Sequence, residues 1–457
     1  MKKDKYLKIT EKPRLFFNSD WFMVLLALIA IVSIFAGHEI VGTCVIGVIT
    51  LFSITVTDDI LPLLEGLLAA TCTAIRPEHN PQGFWKVYPL FPIIIICLVL
   101  HFVYFRNKLI KSEYTIPMAV VSVAVLLGGV GFISLKEYFS LVSIYHLVML
   151  GFGMVLVCMY FTGSFVKERD YSFRYKIAKM MVMVIIILCF SIFEEYFSKR
   201  SELIGNLHAV PFQWRNNGST LLMMAMPFGF YLSAKRFKYG ITALLAYIGL
   251  LFTGSRGGLL FGTIEFFICV VTMLIIDKRH RKIYLISLSV FAVVMLLMSK
   301  FMSEIINTTL ERFINPDENS IRLGLIERGI EDFKNHPIFG TGIGYMGNRD
   351  IHPSKKDALC WYHCSIIQVP ASFGIVGIGA YAFLIYKRIK IFIKNLSVFN
   401  IAMFLSYIGL EMMSLVNPGL FAPVPYLLFT SLFFIIMEKV DTGGKESFKS
   451  LIRGEKK

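Results

Sequence analysis

The chain has 457 residues, of which 56% are apolar, 14% aromatic and only 17% charged, where a soluble domain carries about 25% charged residues. At a mean hydropathy of +0.66, one water-facing core cannot enclose so much apolar surface, so lipid must solvate the remainder. Disorder, coiled coil and disulfide scaffold are excluded by the same numbers. The net charge of +15 comes from Lys and Arg placed beside apolar runs, which argues against a nucleic-acid-binding face.

Hydrocarbon offers a backbone no hydrogen-bond partner, so each crossing is expected to be a helix of about 17–25 residues. In chain order, apolar runs lie at 21–36, 39–56 and 60–75, then 89–105, 116–134, 141–163 and 177–195. They continue at 218–234, 239–253, 259–276 and 283–300, and end with 363–386, 397–413 and 421–437. The expected architecture is an all-α polytopic membrane protein with about 14 transmembrane helices (12 to 14), one integral membrane domain over residues 1–457. The run at 60–75 holds Glu65 and could be a re-entrant or interfacial segment. Counting it as a crossing keeps every later basic loop on one side.

Alternate connections carry most of the Lys and Arg: Lys2 to Arg14, Arg106 to Lys111, Lys167 to Lys176, Lys235 to Lys238, Lys278 to Lys282, Lys387 to Lys394 and the tail after Met437. Positively charged loops stay in the cytoplasm, so both termini are expected there, in a plasma or inner membrane. The basic N-terminal stretch reads as a signal anchor rather than a removed peptide. Residues 301–360 form one long extracytoplasmic loop of mixed charge, where function is expected to gather. A second outer loop, 198–217, contains Arg215, Asn216 and Asn217. Charged residues inside the spans are few, chiefly Glu65 and Glu411.

Gly342-Ile-Gly344-Tyr-Met-Gly347 fits GxGxxG but has no preceding strand and lies outside the cytoplasm, so a dinucleotide role is set aside. No Walker A, HExxH or GxSxG motif occurs, leaving ATP hydrolysis, a zincin and an α/β-hydrolase without support. Cys44, Cys72, Cys97, Cys158, Cys189 and Cys269 fall in or beside spans, where a thiol packs as a small hydrophobe. Cys360, Cys364, His363 and His352 could bind zinc or form a disulfide, but no tight CxxC pair accompanies them and no metal is expected.

Three features point to an anionic substrate at the outer face. Thr253-Gly254-Ser255-Arg256-Gly257-Gly258 places a guanidinium where small residues let backbone approach a bound anion. The same glycines also make GxxxG spacings for helix packing, and Arg256 could simply snorkel. Residues 319–333 have helical periodicity, with Asn319 or Ser320 as the cap and Arg322 in the first turn. There the unpaired N–H groups favour an anion, although a solvated Arg322 paired with Glu318 or Glu327 fits equally. His363 stands where the loop re-enters the membrane, placed to take a proton near neutral pH or merely to satisfy a carbonyl.

Taken in order, Thr253 to Gly258, Ile321-Arg322, His336-Pro-Ile-Phe-Gly340-Thr-Gly342-Ile-Gly344, His363 and Gln368 to Gly377 resemble the O-antigen ligase and Wzy-type polysaccharide polymerase superfamily. The likeness spans residues 210–385. It implies a C-type glycosyltransferase-like membrane enzyme that takes a glycan from a polyprenyl diphosphate on the extracytoplasmic side. Arg256 and Arg322 would hold the diphosphate and His363 would act on the acceptor hydroxyl of a glycan, lipid or protein, with no cofactor required. Cys364 stands where the family often has Asn, and Arg215-Asn216-Asn217-Gly218 replaces its frequent Asn-Pro-Asn. Arg215 and Asn217 are therefore candidate acceptor or glycan contacts. A polymerase, a ligase delivering a finished glycan and, from another class, a transporter or lipid flippase all remain open at this point.

Overall fold

The computed structural model describes residues 6, 9–74, 91–105, 108–129, 141–165, 172–199, 215–278, 280–297, 303, 307, 316–343, 361–417 and 424–440. Among them the secondary structure is helical throughout, with no strand. The helices are α1 (Glu11–Phe17), α2 (Asp20–Phe35), α3 (Glu39–Val56), α4 (Leu61–Thr73), α5 (Phe91–Phe105), α6 (Thr115–Gly128) and α7 (Leu141–Val148). A π-helical turn (Met149–Gly153) continues into α8 (Met154–Phe165), followed by α9 (Ser172–Ser198), α10 (Arg215–Ser233), α11 (Gly240–Phe252), α12 (Arg256–Ile276) and α13 (Arg281–Leu297). The last four are α14 (Pro316–Asn335), α15 (Ser365–Lys394), α16 (Val398–Ser414) and α17 (Val424–Lys439).

Among the described residues each of the fourteen apolar runs contains helix. Five helices are long and apolar enough to cross a membrane, and α1 with α2, bent by 66°, make a sixth if taken as one span. Others are shorter: α4 has 13 residues, which at about 1.5 Å per residue falls well short of a 30 Å hydrocarbon layer. The described residues are thus all-helical in the manner of a polytopic membrane protein.

The packing has the inside-out chemistry of a membrane bundle. On α3 the large apolar side chains Ile40, Val41, Val45, Val48 and Phe52 are exposed, while Gly42, Thr50 and Ser53 face inward. Without a hydrophobic drive between helices in lipid, small residues make the contacts because they let backbones come close. A Cβ on Gly42 would lie 2.1 Å from Ser33 Oγ, and one on Gly66 would lie 1.9 Å from Thr50 Oγ1. The hydroxyls pair within their own helices: Ser33 donates to Ala30 O at 2.8 Å and Thr50 to Ile46 O at 2.6 Å.

At the centre is α10, buried from Gly218 through Ser233 and packed on α9, α11, α12 and α16. A helix that is apolar or small all round is one surrounded by protein. Polar contacts tie the helices to one another. Lys176 lies 3.4 Å from Glu65 and donates to Asn18 O, while Lys394 pairs with Glu113 at 2.8 Å. Lys176, near the start of α9, thus ties that helix to the buried Glu65 inside α4 and to Asn18 between α1 and α2, and Lys394 ties the end of α15 to Glu113 just before α6. At other helix ends, Tyr426 donates to Asn217 O at 3.1 Å and Ile343 N to Gly129 O at 3.0 Å.

The list of charged groups within spans needs correction. Besides Glu65 and Glu411, the structure encloses Glu265 on α12 and Arg388 on α15. Arg388 donates to Glu411 Oε1 at 3.2 Å and to the Tyr114 hydroxyl at 3.0 Å, with its guanidinium 4.8 Å from the Tyr407 ring centre. Arg388, counted with the basic connection 387–394, is thus a buried residue of α15 that ties it to Tyr114, just before α6, and to Glu411 on α16. Both Glu265 oxygens lack a hydrogen-bond partner among the described residues, and Gly409 leaves room for them: a Cβ there would meet Oε1 at 2.6 Å.

Candidate functional site

Arg256 owes its place to the turn between α11 and α12. Gly254 turns the chain at φ +62°, a conformation that suits glycine, and Ser255 caps α12 by accepting from Gly258 N at 3.1 Å. Arg256 is therefore the first residue of the helix, adding a guanidinium to N–H groups that already favour an anion. The packing reading of the glycines holds as well. A Cβ on Gly258 would lie 2.7 Å from Ser219 Cβ, and one on Gly262 would lie 2.4 Å from Leu250 Cδ1.

Arg215 is the first described residue of α10. The two helix starts touch: Ser255 Oγ donates to Asn216 Oδ1 at 2.8 Å. Arg215, Asn217 and Arg256 are thus assembled at one place, with Asn217 anchored through its carbonyl by Tyr426.

Arg322 needs a correction. Its helix, α14, begins at Pro316, whose ring lacks an N–H and fits a first helical position. Asn319 and Ser320 therefore lie inside the helix rather than capping it, and Arg322 is in the second turn. The argument from free N–H groups applies to Arg256 and not to Arg322.

His363 lies beside this helix. It has φ +54°, the one non-glycine residue with positive φ among those described, and it directly precedes Cys364, the N-cap of α15. A left-handed His is uncommon and is found where surrounding structure enforces it. Tyr362 and Asp332 join the two elements: the Tyr362 hydroxyl donates to Asp332 Oδ2 at 2.5 Å. Burial pushes the Asp332 carboxyl above its usual range, opposed by this hydrogen bond and by Arg328. Asp332 and Tyr362 were missed in the sequence, where an Asp in an amphipathic helix reads as solvent-facing.

Gly342, the first glycine of the discarded GxGxxG motif, has a structural task together with Gly340, while Gly344 and Gly347 lie outside the described residues. α15 breaks at Gly374 (φ 61°, ψ −157°), and the chain just after α14 fills the gap. Thr341 N donates to Ala371 O and Gly342 N to Ser372 O, both at 2.9 Å, while Ile375 N donates to Pro337 O at 2.8 Å. A Cβ on Gly340 or on Gly374 would lie 2.3 Å from the opposing backbone. Since ψ near −157° at positive φ is essentially reserved for glycine, Gly374→Ala is expected to destabilise the fold by about 1–3 kcal/mol. Thermal unfolding in detergent would read this as a lowered midpoint, and an unchanged midpoint counts against the clasp.

Arg256 therefore sits with Arg215 and Asn217, and Arg322 with the His363 segment through α14 and α15. Among the described residues α12 and α14 share no extensive packing face. No group of three or more His, Cys, Asp or Glu is placed to hold a metal among those residues; Cys360 and His352 lie outside them.

Fold and site define an all-helical membrane protein with arginines set at adjoining helix starts. Residues 241–422 match the family model described as O-antigen ligase, so this stretch of the chain is similar to that family. No curated protein and no solved structure matches the chain. The matched segment contains Arg256, Arg322 and His363, whereas Arg215 and Asn217 precede it. The match supports a membrane enzyme of cell-surface polysaccharide biosynthesis.

Proposed function

We propose that the protein is a membrane glycosyltransferase that moves an oligosaccharide from a polyprenyl diphosphate to an acceptor hydroxyl on the extracytoplasmic side. The observation that carries this reading is Arg256 at the first position of α12, inside the family-matched segment. A diphosphate diester carries two negative charges, suited to the guanidinium groups of Arg256 and Arg322. In the reaction the acceptor oxygen forms a bond to the anomeric carbon as the bond to the diphosphate oxygen breaks. The leaving diphosphate keeps that electron pair, and His363 takes the hydroxyl proton. Charge grows on the leaving group, where preorganised cations lower the barrier most. Attack opposite the leaving group inverts the anomeric centre.

The first form of this reading is a polymerase, in which the acceptor is another lipid-linked unit. The family description, O-antigen ligase, supports the second, in which a finished glycan passes to a lipid or protein acceptor. Purified protein given a lipid-linked oligosaccharide alone should form longer lipid-linked chains if it is a polymerase. Product appearing only when a separate acceptor is added identifies a ligase. No transfer in either mixture by protein that binds the donor overturns the reading and favours a transporter.

The proposed map has about 14 crossings, both termini in the cytoplasm and 301–360 outside. Reporter fusions at Asp350 and Arg279 should accordingly report opposite sides of the membrane. The same side for both would reject the map.

A further inference from the structure

The segment that carries His363 is held from two directions. Tyr362 is 2% exposed, and its hydroxyl donates to Asp332 Oδ2 at 2.5 Å. Its main-chain N–H donates to Gln368 Oε1 at 3.0 Å, and Gln368 Nε2 donates to Ser372 Oγ at 2.7 Å. Asp332, Gln368 and Ser372 are themselves buried. Gly329 brings α14 close, since a Cβ there would lie 2.3 Å from Ile367 Cγ2 and 3.0 Å from Tyr362 Cδ1. One residue beyond Tyr362, the chain passes through the left-handed conformation of His363 and enters the cap of α15.

A buried hydroxyl on a buried carboxylate is costly to separate, because each group would lose its partner away from water. This pair joins α14, which bears Arg322, to the residue next to His363. We infer that Asp332, Tyr362 and Gln368 are positioning residues: they set the His363 imidazole relative to Arg322 so that base and diphosphate-binding helix act as one unit. The inference rests on the reading of His363 as the base. Asp332 and Tyr362 fix the relation between the two helices, and Gln368 fixes the backbone turn that aims the imidazole.

The test is transfer by the purified full-length protein, per folded molecule, with a lipid-linked oligosaccharide donor. Tyr362→Phe keeps the ring but loses the donor, and kcat is expected to fall roughly 10- to 100-fold, the scale of a small misplacement of a reacting group. The KM for donor should change little. Asp332→Leu should match it, whereas Asp332→Asn, whose amide oxygen still accepts, should recover most of the turnover that the Leu variant loses. Combining Tyr362→Phe with Asp332→Leu should cost no more than either alone, because both remove one bond.

A merely structural bond would instead lower the yield of folded protein and leave its kcat intact. If Tyr362→Phe fails to fold, the Asp332→Leu and Asp332→Asn pair reads the same bond from its other end. Turnover within twofold of wild type in Tyr362→Phe, or equal losses in the two Asp332 variants, overturns the proposal. His363→Gln run alongside separates the two failures. Loss there with normal Tyr362→Phe removes the positioning role alone, and full turnover in His363→Gln removes the base and its positioning residues together.

Discussion

Replacing His363 by glutamine is expected to lower transfer roughly 10²- to 10⁴-fold, the range for loss of a general acid–base group. The substitution keeps hydrogen-bonding capacity but cannot accept the acceptor's proton. Donor lipid should bind as in the wild type, because the charges proposed to hold it belong to Arg256 and Arg322. The left-handed backbone at His363 gives the rival explanation a distinct signature. Were the residue there only for its conformation, His363→Gln would reduce folded protein and leave turnover per folded molecule near normal. A zinc role would appear as equal damage from Cys360→Ser and Cys364→Ser and as inactivation by chelators. Full turnover in His363→Gln would withdraw the base and leave the diphosphate site to stand alone.

Arg256→Ala should cost about 10²- to 10³-fold in transfer, the usual loss when one preorganised donor is taken from developing charge. Arg322→Ala is expected to behave alike. Lysine at 256 should restore only part of the rate, because an ammonium cannot offer two parallel N–H groups to a phosphate. Helix α12 itself should survive the change, since Ser255 still caps Gly258 N and the glycines still seat α12 against Ser219 and Leu250. Normal expression with reduced transfer is therefore the expected pairing. If both alanine variants make product at the wild-type rate, the arginines are interfacial anchors.

Much of the fold was legible because lipid imposes a coarse rule: a backbone without water must be helical. Fourteen apolar runs were enough to place fourteen stretches of helix, α4 with its Glu65 included. Arg256 was singled out from its small neighbours, but the run there was placed at 259–276, and the Ser255 cap that starts the helix at Arg256 came only from the structure. Arg322 shows where local reading stopped. Asn319 and Ser320 look like caps, but Pro316 starts the helix three residues earlier, so the residue kept its place in the chain and lost its place at the helix end.

The motif from His336 to Gly344 was visible as glycine and proline without a reason. Its partner, the break at Gly374, is more than thirty residues away, and only the folded chain pairs the freed carbonyls of Ala371 and Ser372 with Thr341 and Gly342. Asp332 and Tyr362 were hidden for the same cause, being thirty residues apart and joined by one buried hydrogen bond. Arg388 was counted only as one of a run of basic residues, and the folded chain alone shows it buried among Tyr114, Tyr407 and Glu411. Apolar periodicity, charge asymmetry and caps act over a few residues or through the solvent, so the sequence by itself determined the helices. Which polar groups meet in a bundle depends on how helices distant in sequence pack, so tertiary structure alone decided what surrounds His363, Asp332 and Arg388.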